Sequence, residues 1–245
     1  MTASAAARTP ARIRVLPRLG LRPSTNEVVA RFLDEALPDR DAAALDAGCG
    51  RLSQLVPFRP RIARFVGVDI HAPAVPLAWL DEFAVADLCQ DEDAFPEASF
   101  DVALSSFTVE HFEDPPAAFR TICRWLRPGG FLVLTTVNRA HPFVDAYLSL
   151  PPALGRPLQR LVKATAADAH PLVGACNTPG DIARALRETG YVDVEVATTD
   201  HLARAWGRTL PTYLVGLIGD LAAHSLPARR STIVARARRP GSAPA

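Results

Sequence analysis

Apolar positions along this chain recur with a helical period in some stretches and with a strand period in others, and the switches between them predict its elements. Ser24-x-x-Glu27 is a capping box that opens a helix, with Val28, Phe32 and Leu33 at helical spacing until Pro38 stops it. Apolar stretches at 42–46, 65–69, 83–87 and 100–105 predict strands, each ending near an acid, a small polar residue or a glycine. Asp114 caps a second helix with Pro115 and Pro116 in its first turn. There Phe119, Ile122, Cys123 and Leu126 stand at i, i+3, i+4 and i+7, a spacing that turns Cys123 toward the core. Pro128-Gly129-Gly130 ends that helix, and Phe131 to Val137 is an apolar run of the kind buried on both faces. Thr178-Pro179 starts a further helix that carries Ile182 and Leu186 and ends at Gly190. Tyr191 to Val196 alternates Val192, Val194 and Val196 with Asp193 and Glu195, and an apolar helix around Tyr213 to Leu221 precedes a last strand at Thr232 to Ala237. Strands alternating with helices imply an α/β fold with a parallel sheet covered on both faces.

The same pattern divides the chain. Residues 24–240 read as a single domain, 241–245 as a tail, and 138–177, rich in Pro and Ala and too long for an ordinary connection, as a lid or substrate-shaping insertion. Residues 1–23 carry Arg8, Arg12, Arg14, Arg18 and Arg22 with no acid before Glu27, and read as a disordered arm, with an organelle transit peptide as the alternative.

Composition narrows the function classes. A chain of 245 residues, 49% apolar and 22% charged, is ordinary globular material able to bury a substantial core. A net charge of +1, with Lys163 the only lysine, argues against nucleic acid as a partner. Cys49, Cys89, Cys123 and Cys176 lie far apart with no His at ligand spacing, so no metal site and no disulfide framework is expected, and a cytoplasmic setting fits. No stretch is long and apolar enough to span a bilayer. Thr209 to His224 is apolar enough to line an acceptor pocket or to make peripheral contact with a membrane surface, though core packing is the preferred reading.

The chemistry concentrates at Leu45-Asp46-Ala47-Gly48-Cys49-Gly50 and Val66-Gly67-Val68-Asp69-Ile70. An apolar approach, two glycines one residue apart and a carboxylate at the tip of the next strand form a cofactor-binding pattern. Its loop lets backbone approach a ligand, and its acid can accept hydrogen bonds from a ribose. With Ala86-Asp87, Ser99 to Ser106, Val109-Glu110-His111-Phe112-Glu113-Asp114-Pro115 and Leu126 to Gly130 following in order, residues 24–138 resemble the class I S-adenosylmethionine-dependent methyltransferases, most closely the type 11 branch.

That resemblance implies a Rossmann-like, seven-stranded, mostly parallel sheet with a reversed terminal hairpin, helices on both faces and an insertion after the fifth strand. It implies S-adenosyl-L-methionine as cofactor, with Asp46, Gly48 and Gly50 against its methionine part and Asp69, with Ile70 beside it, on the ribose. Asp87 would meet the adenine amino group, Ala86 and Leu88 the ring, and Ser105 the methionine end. One position departs from the pattern: Leu52, after Arg51, stands where relatives carry a third glycine. Either its side chain obstructs helix-to-sheet packing or the helix starts differently.

A sulfonium already carries an activated methyl group, so transfer needs an acceptor held in line, with a general base where the acceptor is a hydroxyl or an acidic carbon. His111, just after the fourth strand, is the candidate base, although Glu110-His111 recurs in relatives with different substrates and a structural or cofactor-side role is the competing reading. His141, Asp145 and Tyr147 are candidates for positioning substrate; His170 is a further possibility, and His201 and His224 receive no role. The expected function is methyl transfer to oxygen or carbon of a small-molecule acceptor. The alternatives are a non-catalytic cofactor-binding module and an NAD-dependent oxidoreductase.

Overall fold

A computed structural model describes residues 23–151, 173–207 and 209–241. Most of the expected arm, the middle of the 138–177 insertion with Lys163 and His170, and the tail after 241 lie outside the described residues. The chain opens with helix α1 (Thr25–Ala36), where Glu27 N donates to Ser24 Oγ at 3.3 Å and Ser24 N to Glu27 Oε2 at 2.7 Å, completing the capping box. Strands β1 (Ala42–Ala47), β2 (Ile62–Asp69), β3 (Glu82–Val85) and β4 (Phe100–Ser106) follow, then helix α2 (Pro115–Trp125) and strand β5 (Leu126–Val137). Helices α3 (Pro142–Leu148) and α4 (Pro179–Glu188), strand β6 (Val192–Thr199), helices α5 (Leu202–Ala205) and α6 (Leu210–Ala223) and strand β7 (Thr232–Arg238) complete the order.

The strands form one seven-stranded sheet in the order β3-β2-β1-β4-β5-β7-β6. Neighbours from β3 to β5 run parallel, and β7 runs antiparallel to both β5 and β6. Alternate residues of each strand feed two cores. Phe32 and Leu33 of α1 pack with Ala44, Phe65, Leu104 and Val133 on one face. Phe119, Ile122 and Trp125 of α2 and Ile182 and Leu186 of α4 pack with Leu45, Val66, Ala103 and Leu132 on the other.

Four local expectations are corrected. Helix α2 ends at Trp125, and Pro128-Gly129-Gly130 lies inside β5, where the register jumps from Phe100↔Leu126 to Val102↔Phe131. Gly129 sits at φ +86° and donates its N–H to Arg239 O, so the three residues form an irregularity in the ladder rather than a helix stop. The buried face of α2 centres on Phe119, Ile122 and Trp125, which leaves Cys123 half-buried at its margin. No α-helix joins β1 to β2: a 3₁₀ helix (Val56–Arg61) stands there, because Pro57 and Pro60 remove the amides that an α-helix would need. Phe58, Trp79 and Leu80 cover the α1-side core near this connection.

The fourth correction concerns the apolar helix α6, which meets the protein through its small residues. A Cβ on Gly216 would stand 2.8 Å from the backbone of Ala203, and one on Gly219 2.9 Å from the Phe143 ring. Asp220, on the same buried side, accepts from Leu202 N at 3.1 Å, Ala203 N at 2.8 Å and Ser231 Oγ at 3.0 Å. Of its large apolar side chains only Tyr213 is buried, and Leu210, Leu214, Val215, Ile218 and Leu221 are left outside, contrary to the expectation of core packing.

Trp125 anchors the α2 core. It is fully buried, stacks edge-on against Phe95 with ring centroids 5.0 Å apart, and donates from Nε1 to Glu92 O at 2.7 Å. Trp125→Ala is expected to cost about 3–5 kcal/mol of folding free energy through cavity formation, read from urea denaturation; a loss below about 1 kcal/mol would show that this core collapses to fill the space.

Candidate functional site

The carboxyl ends of β1, β2, β3 and β4 form one rim, the edge at which open parallel sheets bind ligands. From β1 the chain turns back over β2: Gly48 N and Cys49 N both donate to Val68 O, at 2.8 and 3.2 Å. Gly48 has φ +76°, and a Cβ there would lie 2.3 Å from the Thr108 side chain, so this turn and its close contact both require glycine. Thr108 Oγ1 donates to Gly48 O at 3.3 Å and ties the segment after β4 to the loop after β1.

Asp69 braces the loop from the next strand. Its Oδ2 accepts from Gly50 N and its Oδ1 from His71 N, both at 3.2 Å. A carboxylate has about four acceptor positions, so these two bonds leave room for a pair of ligand hydroxyls. Asp87 is held similarly, Oδ1 accepting from Cys89 N at 2.8 Å and Oδ2 from Gln90 Nε2 at 2.9 Å. Ala86 and Leu88 on either side of it are buried in the α2-side core, whereas Ile70 is half-exposed.

Asp46 differs from both. It is 1% exposed at the end of β1, and its Oδ2 has no hydrogen-bond partner in the protein. Burial pushes its pKa up to about 7, against the lowering effect of a hydrogen bond from Ser53, and the Asp69 charge adds to the rise. At the end of the adjacent strand, Ser105 Oγ is likewise buried without a partner. Buried polar atoms are nearly always satisfied, so two orphans on neighbouring strand ends fit a ligand that brings polar and cationic groups to this rim. Burial, with the Asp46 and Asp69 charges, pushes the Cys49 thiol up to about 12, which favours the neutral thiol there.

Leu52 is 85% exposed. With no α-helix after the glycine loop, its side chain has no helix-to-sheet contact to obstruct, and neither an obstructed packing nor a shifted α-helix start describes the departure.

The remaining candidates divide. His111 ends a short 3₁₀ helix (Val109–His111), half-buried, with its N–H on Thr108 O, and so belongs to the segment tied to the glycine loop. His141 is fully buried: Nδ1 accepts from Phe143 N and Val144 N at 3.1 and 3.4 Å, which leaves Nε2 to donate to Gly219 O at 3.2 Å. Both ring nitrogens are thereby used to cap α3 and dock α6. Asp145 pairs with Arg139 at 2.8 Å, and the Tyr147 ring lies 6.3 Å from that of Trp206.

One hydrogen-bond group was not read from the sequence, although Glu110 itself was named there beside His111. Glu110, 2% exposed, accepts from Thr136 Oγ1 at 2.8 Å, and Asn177 Nδ2 donates to the same hydroxyl at 2.7 Å. Glu110 O also accepts from Val173 N and Gly174 N, at 2.9 and 3.0 Å. These bonds pin the returning end of the 138–177 segment to the sheet. The sequence signals were the Glu110-His111 pair, with its competing structural reading, and Thr135-Thr136 in an otherwise apolar strand.

Comparison with known proteins agrees with this architecture. The family described as "Methyltransferase domain" matches residues 22–211. Nocamycin O-methyltransferase of Saccharothrix syringae is 32% identical over 195 residues, covering 73% of this chain and 69% of that protein. Phosphoethanolamine N-methyltransferase 1 of Arabidopsis thaliana is 30% identical over 132 residues, 50% of this chain, and the match spans 26% of that longer protein. The structure of Haemonchus contortus phosphoethanolamine N-methyltransferase 2 in complex with S-adenosyl-L-methionine shares the fold, with a TM-score of 0.56 at 19% identity over 87% of this chain and 52% of that one. The oxidoreductase alternative, which needs only the glycine loop and Asp69, does not survive a match that runs from before α1 into α6. On that extent of agreement, the chain belongs to the methyltransferase domain family and is an S-adenosylmethionine-dependent methyltransferase.

Proposed function

We propose that this enzyme moves a methyl group to oxygen or carbon of a small-molecule metabolite, with its cofactor held by the rim of β1 to β4. The observation that carries the site assignment is the buried, half-satisfied carboxylate of Asp46 at the end of β1. The O-methyltransferase relative that aligns along most of the chain favours oxygen, and a near-neutral chain gives no basic track for a nucleic acid.

When bound, the cofactor supplies a methyl group on a positively charged sulfur. In this reading Asp46 faces its cationic methionine end, with the Gly48–Gly50 loop closing over it and Ser105 offering a hydroxyl from β4. Asp69 takes the ribose hydroxyls with its remaining lone pairs, Ile70 lies beside it, and Asp87 accepts from the adenine amino group while Ala86 and Leu88 border the ring. His111 receives the proton of an acceptor hydroxyl as the new bond forms. Asp145 and Tyr147 on α3 contact the acceptor, and His141 acts through α3 by fixing its first turn.

The experiment is calorimetric titration with S-adenosylhomocysteine, followed by methyl transfer from labelled S-adenosylmethionine to hydroxyl, acidic-carbon and amine acceptors. Turnover with hydroxyl or carbon acceptors is expected; turnover confined to amines would overturn the acceptor assignment. Asp69→Ala is expected to keep its fold by circular dichroism and lose tenfold or more in S-adenosylhomocysteine affinity, since a hydrogen bond to a charged group contributes about 1.5–3 kcal/mol. Unchanged affinity would remove Asp69 from the site. His111→Ala is expected to bind S-adenosylhomocysteine normally and to lower kcat with little change in KM, whereas lost binding would move it to the cofactor side.

Asp46 makes binding pH-dependent with a definite sign. A cationic ligand selects the carboxylate, so below the free-enzyme pKa of about 7 binding must release a proton. Affinity for S-adenosylmethionine is therefore expected to rise with pH by up to about tenfold per unit and to level off above about 7, with proton release visible in buffers of different ionisation enthalpy. Asp46→Asn should flatten the profile, and a profile unchanged by that substitution would contradict the role.

A further inference from the structure

Helix α6 presents a solvent face with no charge on it. Leu210, Leu214, Val215, Ile218 and Leu221 recur along one side of the helix and are each between 46% and 61% exposed. An ordinary surface helix places such residues inward and its charges outward. Here the arrangement is inverted, because the inward side carries Tyr213, Gly216, Gly219, Asp220 and Ala223. Exposed apolar stripes of this kind mark surfaces that meet another apolar phase.

The surrounding charges identify that phase. From His201 to Arg230 the sequence contains Arg204, Arg208, Arg229 and Arg230 and a single acid, Asp220. Asp220 is buried and occupied by Leu202 N, Ala203 N and Ser231 Oγ, so it offers nothing to the surface. Arg204 and Arg229 are exposed, one on α5 beside α6 and the other just beyond its carboxyl end. A second copy of the chain seated on this face would bring the arginines of both copies together, and the bordering acid, Asp200, is already engaged by His224 at 3.1 Å. A surface of anionic headgroups over acyl chains satisfies both the apolar stripe and the basic flanks.

We infer that α6 is a membrane-docking helix that lies in the interface of an anionic bilayer with Leu214 and Ile218 at the centre of its buried face. The helix is held on its inward side, through His141 Nε2 on Gly219 O and Ser231 Oγ on Asp220, so docking by the outward face leaves those contacts and the sheet undisturbed.

The test is co-sedimentation of the full chain with phosphatidylcholine vesicles, with and without phosphatidylglycerol. Binding is expected to the anionic vesicles only and to weaken as salt is raised. Leu214→Glu with Ile218→Glu, both at exposed positions, should reduce vesicle affinity tenfold or more while leaving the thermal midpoint and S-adenosylhomocysteine affinity unchanged. Arg204→Glu with Arg229→Glu should abolish the preference for phosphatidylglycerol. The inference is overturned if neither vesicle type is bound, if the Leu214 and Ile218 variant binds as the parent does, or if the parent is a vesicle-independent dimer that those two substitutions dissociate.

Discussion

Strand β1 is buried along all six of its residues, and the need to cover it on both faces organises the rest of the molecule. A strand in that position can carry only apolar or fully satisfied side chains, so Ala42 to Leu45 give no purchase to water, and the first polar side chain appears at Asp46. On one face the cover is α1 with Phe65 and Leu104; on the other it is α2 and α4 with Trp125 and Leu186. Because the interior is apolar up to the strand tips, the acids at the ends of β1, β2 and β3 are displayed along a single edge. The site is thus a by-product of where burial stops.

Within that edge the three acids have unequal surroundings. Asp69 and Asp87 accept from backbone amides or a neighbouring amide side chain and shape the turns they sit in. Asp46 lies deeper and is left partly unsatisfied, so its charge is costly until a cation joins it. The same residue type is therefore well satisfied at two positions and left partly unsatisfied at the third, and desolvation makes the difference.

Much of this was legible in the chain. The capping box at Ser24 and Glu27, the strand positions and the glycine loop follow from local rules, and they hold because each rests on contacts within a few residues. The helix expected after the loop does not form, although Pro57 and Pro60 were visible reasons for its absence. Cys123 was placed in the core because a spacing of three and four admits two neighbouring stripes on a helix, and the larger Trp125 takes the buried one. The inverted face of α6 was hidden because a helix apolar on all sides reads as core; only the close approach of Gly216 and Gly219 to α5 and α3 shows which side is inside. Glu110, Thr136 and Asn177 come together from distant positions, and no local pattern announces a hydrogen-bond chain of that kind.

The sheet is asymmetrically supported. The half built from β1, β2 and β3 is linked by loops and a 3₁₀ helix where the other half has α2 and α4, and its edge strand β3 has only four residues. Backbone in such segments opens at lower free energy than backbone laced by long helices. With the cofactor placed on this rim as proposed, occupancy would add stability where the fold supplies least, in proportion to the logarithm of ligand concentration. On that assignment, resistance of these loops to proteolysis would rise with the supply of the methyl donor.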